Sequence, residues 1–267
     1  MKKIILEGKI DFKYELNLKN LSKIDFEEKN LRKTTVLYNN KEQKLQELFK
    51  IQVQKNDKNE LIVFGMNKNC DYLGWKWKKG ILRIKSDVGS FLGVQMIDGK
   101  IIVEGSCKHH AGSAITGGKI FIKSNAEDFV GCPLPGNKIG MNGGLIVIYG
   151  KAGNFLGLQM RRGVIFVGKD VGNNCCNNMI SGTVILKKNF GNQLGLGMKR
   201  GSIILVKQKL QSENFVDSGE SRSIFLGLLN NYFLKVSSIK LFSNKDKFNR
   251  FIGDNKMDGM GEVFVKK

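Results

Sequence analysis

Two histidines stand side by side at His109 and His110, just beyond Cys107, and the chain has no other histidine. Imidazole and thiol together are the usual material of metal centres and of nucleophilic catalysis. Neither can be completed here. Neighbouring histidines on a strand point to opposite faces and do not readily share an ion, and no serine–histidine–aspartate or cysteine–histidine set can be assembled around them. They read as surface residues. Cys70, Cys107, Cys132, Cys175 and Cys176 form no CxxC pair. Their odd number, with no export signal, argues for free buried thiols in a cytoplasmic protein. No catalytic residue and no metal ligand is expected.

Charge is the second chemical resource. The net charge is +20, from 44 lysines and arginines against 24 acids, which points to an acidic partner. Only seven of the 44 are arginine. That disfavours nucleic acid, because bidentate recognition of phosphate and bases leans on arginine; a biased genome would produce the same lysine excess. Three basic doublets, Lys78 with Lys79, Arg161 with Arg162 and Lys199 with Arg200, each precede a glycine. Arg161, Arg162, Lys199 and Arg200 are the candidates for contact with an anion, against the plainer reading of solvated corners.

The glycines that follow these doublets belong to a repeat. From Gly163 a step of nineteen reaches Gly182 and Gly201, and upstream Gly144; a gap of twenty-six leads to Gly118, then Gly99 and Gly80. The longer gap holds an insertion at residues 132–138 with both prolines. Three before each glycine stand Trp77, Met96, Ile115, Met141, Met160, Met179 and Met198, a slot that accepts Trp and Ile and so calls for apolar bulk in place of a metal-binding sulfur. Two and four after it stand apolar pairs such as Ile101 with Val103 and Ile165 with Val167, a strand-like alternation. This describes a single-stranded right-handed parallel β-helix of about seven 19-residue coils, each burying a ladder of like residues. The left-handed hexapeptide repeat and the calcium-binding nonapeptide repeat do not fit. The expected class is all-β, with a short β-rich N-terminal segment (1–68), the β-helix (69–206) and a C-terminal amphipathic helix and tail packing on it (207–267).

The position three after each glycine should point outward. It reads Arg83, Ile102, Phe121, Val147, Phe166, Ile185 and Ile204, an apolar stripe that needs a cover. One cover is the chain's own helix within residues 221–234, with Ile224, Phe225, Leu228, Leu229, Tyr232 and Phe233 as its apolar face. The other is a partner subunit, which makes Ile102, Phe121, Val147, Phe166, Ile185 and Ile204 interface candidates. Both are expected. No stretch has the length of a membrane span. A free-standing polysaccharide-cleaving β-helix would need clustered carboxylates in an outward column, and none is present.

The coils "GVQMIDGKIIVEG", "GLQMRRGVIFVG" and "GLGMKRGSIIL" resemble the β-helical domain that ends the large subunit of glutamate synthase. They equally resemble the β-helical, C-type subunit of formylmethanofuran dehydrogenase, which has a bacterial counterpart in a formyltransferase/hydrolase complex. The segment "KEQKLQELFKI" at 41–51 and the ending "RFIGDNKMDGMGEVFV" extend the likeness to the second group along nearly the whole chain. Cys176, Trp77 and Lys169 depart from its pattern at single corners. The resemblance implies a scaffold subunit of a complex of one-carbon metabolism. In the bacterial form a formyl group passes from formyl-tetrahydromethanopterin to a methanofuran-type carrier and leaves as formate; in the archaeal form CO2 is reduced to formylmethanofuran. The lysine-rich composition favours the bacterial form. The resemblance also implies that the metal centres lie on other subunits, that no cofactor is held by this chain, that the partners are formyltransferase-like and amidohydrolase-like, and that the anion is a glutamate-rich carrier tail. A free-standing β-helix or a basic nucleic-acid-binding protein stands as the alternative of another class.

Overall fold

All seven glycines of the nineteen-residue register hold left-handed backbone, with φ from 79° at Gly80 to 106° at Gly182. A side chain is excluded there by space as well as by torsion: a Cβ on Gly163 would lie 2.8 Å from the Gly144 carbonyl oxygen and 2.6 Å from Met141 Cε. The computed structural model describes residues 1–24, 26, 28–211, 213–221, 223–243 and 245–267. In chain order it begins with β1 (Lys2–Gly8), β2 (Leu16–Asn17), α1 (Glu28–Lys33), β3 (Thr35–Tyr38), β4 (Lys41–Lys44), α2 (Leu45–Leu48), β5 (Phe49–Lys55), β6 (Glu60–Phe64) and β7 (Cys70–Asp71). The register glycines then introduce β8 (Ile81–Ile84), β9 (Lys100–Val103), β10 (Lys119–Ile122), β11 (Asn142–Ile148), β12 (Arg162–Val167), β13 (Thr183–Leu186) and β14 (Ser202–Leu205). The chain closes with β15 (Phe215–Ser221), α3 (Ile224–Ser237), β16 (Phe248–Gly253) and β17 (Gly261–Lys266).

The protein is mostly β, and thirteen strands form one sheet in the order β15-β16-β17-β14-β13-β12-β11-β10-β9-β8-β6-β1-β5. From β1 through β17 every neighbouring pair is parallel. Like residues stand side by side: Ile101 pairs Ile120, and Ile165 pairs Val184, which pairs Ile203. Between β8 and β14 the partner step lengthens to twenty-six at Lys119 with Leu145, where residues 135–138 form an exposed loop. A second parallel ladder runs through Val88, Cys107, Ala126, Ala152, Val171 and Phe190. Side-chain oxygens tie successive corners together, as where the amides of Asn154, Asn173 and Asn192 donate to Asp128, Asn154 and Asn173. Between the ladders lies the core, which takes the whole Trp77–Met198 column at 3% exposure or less.

Both ends of the chain extend this sheet. β6 and β1 continue it before Asn69, and β17 pairs in parallel with β14, so the tail enters the sheet itself. On the outer face α3 lies over the apolar stripe. Ile102, Phe121, Val147, Phe166, Ile185 and Ile204 are all at most 7% exposed, packed with Leu226, Leu229 and Phe233 of α3 and with Leu241, Phe242, Phe248 and Phe264. The outward stripe is therefore not open to water in the folded chain: its own C-terminal segments bury the six interface candidates. The face of α3 differs from the expected one. Leu226, Leu229 and Phe233 turn inward with Asn230, while Ile224, Phe225, Leu228 and Tyr232 are exposed, because a helix apolar nearly all round can seat only one of its sides. Among the described residues, no helix is long and apolar enough to cross a membrane.

Candidate functional site

The two histidines part company in the structure. His109 is half exposed, its Nε2 3.2 Å from the Glu127 carboxylate. His110 has a left-handed φ of 63° and lies in a ladder of rings, Tyr72, Phe91, His110, Phe129 and Phe155, with centroids 4.5–5.2 Å apart and planes within 10°. Burial, then His109, lowers the His110 pKa, so its neutral ring stacks as an aromatic. The ladder steps by the same nineteen residues from Tyr72 to Phe129 and by twenty-six to Phe155 across the insertion, a signal that aliphatic columns alone do not carry. The cysteines are free and buried; burial pushes the Cys70 and Cys132 thiols up to about 12 and raises Cys107 as well. Among the described residues no three His, Cys, Asp or Glu side chains gather as a metal site.

The basic doublets do converge. Arg161 and Arg162, then Ile180 and Ser181, then Lys199 and Arg200 occupy equivalent corners of successive repeats, because the amides of 161, 180 and 199 donate in turn to the carbonyls of Met141, Met160 and Met179. Neighbouring strands lie about 4.8 Å apart, so the two cationic pairs stand about 10 Å from one another. The chain closes the other side with the turn between β16 and β17. Buried Asp254 docks that turn, accepting at Oδ2 from the Gly197 amide (2.9 Å) and at Oδ1 from the Lys256 amide (3.0 Å), and the Met260 amide donates to the Lys199 carbonyl (2.8 Å). The result is an open cleft of about 550 Å³ walled by the two basic pairs, Ile180, Ser181, Met257, Asp258 and Met260. All four cations are exposed, and among the described residues Asp258 is the one acid in the lining. Lys78 and Lys79, at the far end of the column, are not part of it. The arrangement offers positive charge and flexible apolar thioethers, with Ser181 and Asp258 as the other polar side chains in the lining, a composition suited to holding an anion. Sequence reasoning reached the four cations; it missed Met257, Asp258 and Met260, whose place depends on β17 joining β14.

A family model, the GXGXG motif, matches residues 27–223. No curated protein matches the chain. A chain in the X-ray crystal structure of the formyltransferase/hydrolase complex (FhcABCD) from Methylorubrum extorquens in complex with methylofuran is similar at 30% sequence identity, with a TM-score of 0.87 over 98% of this chain and 99% of that one.

Proposed function

The chain belongs to the GXGXG-motif family, and from that premise we propose that it is the non-catalytic, β-helical scaffold of a formyltransferase/hydrolase complex of one-carbon metabolism, its C-type subunit. The observation that carries the reading is the end-to-end match: the likeness runs through the N-terminal strands, the repeats and the tail alike, at 98% and 99% coverage. We read the stacked repeats as a single-stranded right-handed parallel β-helix of seven coils, spanning about 69–206, with caps at either end. The two parallel ladders and the nineteen-residue partner step support this. The matched complex favours formyl transfer to a methanofuran-type carrier and release of formate over the CO2-reducing alternative. The reaction centres and metals belong to the partner subunits, formyltransferase-like and amidohydrolase-like, and a cytoplasmic setting fits the five free cysteines.

Within this reading Arg161, Arg162, Lys199 and Arg200 hold or guide the acidic tail of the carrier, since paired cations about 10 Å apart suit an extended chain of carboxylates. The test is the assembled complex carrying Arg161→Glu, Arg162→Glu, Lys199→Glu and Arg200→Glu. Carrier retention and turnover should fall about tenfold or more, with a salt dependence weaker than wild type. Unchanged retention and turnover would refute the cleft assignment and leave the scaffold role standing.

A further inference from the structure

Helix α3 turns Leu226, Leu229 and Phe233 to the sheet and an equally apolar side to water. Ile224 is 81% exposed, Leu228 65%, Leu234 52% and Tyr232 41%. The helix carries a single charge, Lys235, in fourteen residues, where a helix that ends its packing at the sheet would present charged and polar residues outward. A contiguous apolar ridge of this kind marks an association surface. At its start a cleft of about 430 Å³, bounded by Ile224, Leu226, Gly227 and Phe242 on its apolar side and by Glu220, Asp246, Lys245 and Lys247 on its charged side, has room for an inserted side chain.

A row of lysines shares this side of the sheet. Lys100 and Lys119 are direct partners on β9 and β10, and Lys123 follows β10. Lys100 Nζ lies 4.7 Å from the Phe121 ring centroid, and Lys123 Nζ lies 4.2 Å from that of Tyr149. Phe121 belongs to the cluster on which α3 rests, and Tyr149 packs against it. None of the three ammonium groups is in an ion pair among the described residues. Burial, then the cations Arg83, Lys119, Lys123 and Lys58, holds the Lys100 ammonium below the usual lysine range, so an incoming carboxylate would relieve a standing repulsion.

We propose that the outer side of α3, together with the Lys100–Lys119–Lys123 row, is the docking surface for another subunit of the complex, one that brings an apolar strip bordered by carboxylates. The inference rests on the subunit reading above. The helix supplies the area and the lysines supply the sign. A second copy of this chain fits badly, since it would set one lysine row against another with a net charge of +20 on each partner.

The experiment co-expresses the tagged full chain with the remaining subunits of its own complex and measures their stoichiometry after capture. Three forms are compared: wild type, Ile224→Glu with Leu228→Glu, and Lys119→Glu with Lys123→Glu. Thermal midpoints show that each is folded. Wild type should recover its partners in full. The helix variant should lose them by about tenfold or more, and the lysine variant should bind more weakly with most of the salt sensitivity gone. Both variants assembling at wild-type stoichiometry would overturn the surface and leave the subunit reading intact. A wild-type chain that recruits none of those subunits would overturn the reading and the surface together. Self-association of the isolated chain, abolished by the helix variant, would reassign the face to a second copy and overturn the proposal.

Discussion

At the scale of single residues, torsion and space act together at the corners. Gly163 and Gly136 both have left-handed backbone, φ 99° and 84°, but only Gly163 is crowded; nothing lies within 4 Å of a Cβ at Gly136. Gly136→Ala should therefore cost about 1–2 kcal/mol from the torsion alone, and Gly163→Ala distinctly more, as urea unfolding of the two variants will measure. The buried thiols give a pH prediction. Cys70 and Cys132 stay protonated in the folded chain to about pH 12 but ionise when unfolded above about pH 9. Their contribution is therefore intact below pH 9 and is lost above it, at up to about 1.4 kcal/mol per pH unit for each thiol. Urea midpoints across that range test the slope, and iodoacetamide should label the cysteines only after unfolding. The corners were legible in the sequence because a positive φ beside a neighbouring carbonyl leaves glycine little competition. The ring ladder was not, since Tyr72, Phe91, His110, Phe129 and Phe155 share a shape rather than a residue type, and two of its rungs are polar by name.

At the scale of elements, the energy of α3 resides in one side of it. Phe233 is fully buried, 5.7 Å from the Phe166 ring, so Phe233→Ala should cost about 3–5 kcal/mol, whereas Leu228→Ala on the isolated chain should stay within about 0.5 kcal/mol. Thermal melts of the pair decide between the face expected from sequence and the face observed. Asn230 anchors the helix to the segment behind it, its Oδ1 accepting from the Leu241 amide (2.9 Å) and its Nδ2 donating to the Phe242 carbonyl (3.1 Å). Asn230→Leu removes both bonds and strands those backbone groups, at about 1–3 kcal/mol each. The existence and approximate span of α3 were legible from its apolar run. Its rotation was not, because periodicity cannot orient a helix with apolar residues on two sides; the stripe beneath chose Leu226, Leu229 and Phe233.

At the scale of the molecule, the sheet is nearly one-dimensional, and each repeat is held chiefly by the one before and the one after. The nineteen-residue step was legible for that reason: one unit's requirements are copied at every stacking. The closing of the stack was illegible, since β17 pairs with β14 across intervening residues that carry no trace of the repeat. Removing residues 254–267 should bare the edge of β14 and take away the Met257–Met260 wall of the cleft; size-exclusion chromatography should then show aggregates in place of the native species. The pairing of β14 with β17 also has a consequence in time. Leu205 completes β14, yet its permanent neighbour begins only at Gly261, fifty-six positions later. At about 5–20 residues per second, a nascent chain holds that hydrogen-bonding edge open for several seconds after the rest of the stack can form. Synthesis itself thus sets a window in which the growing protein is adhesive, and rapid capture by chaperones or by a waiting subunit would be of most use there.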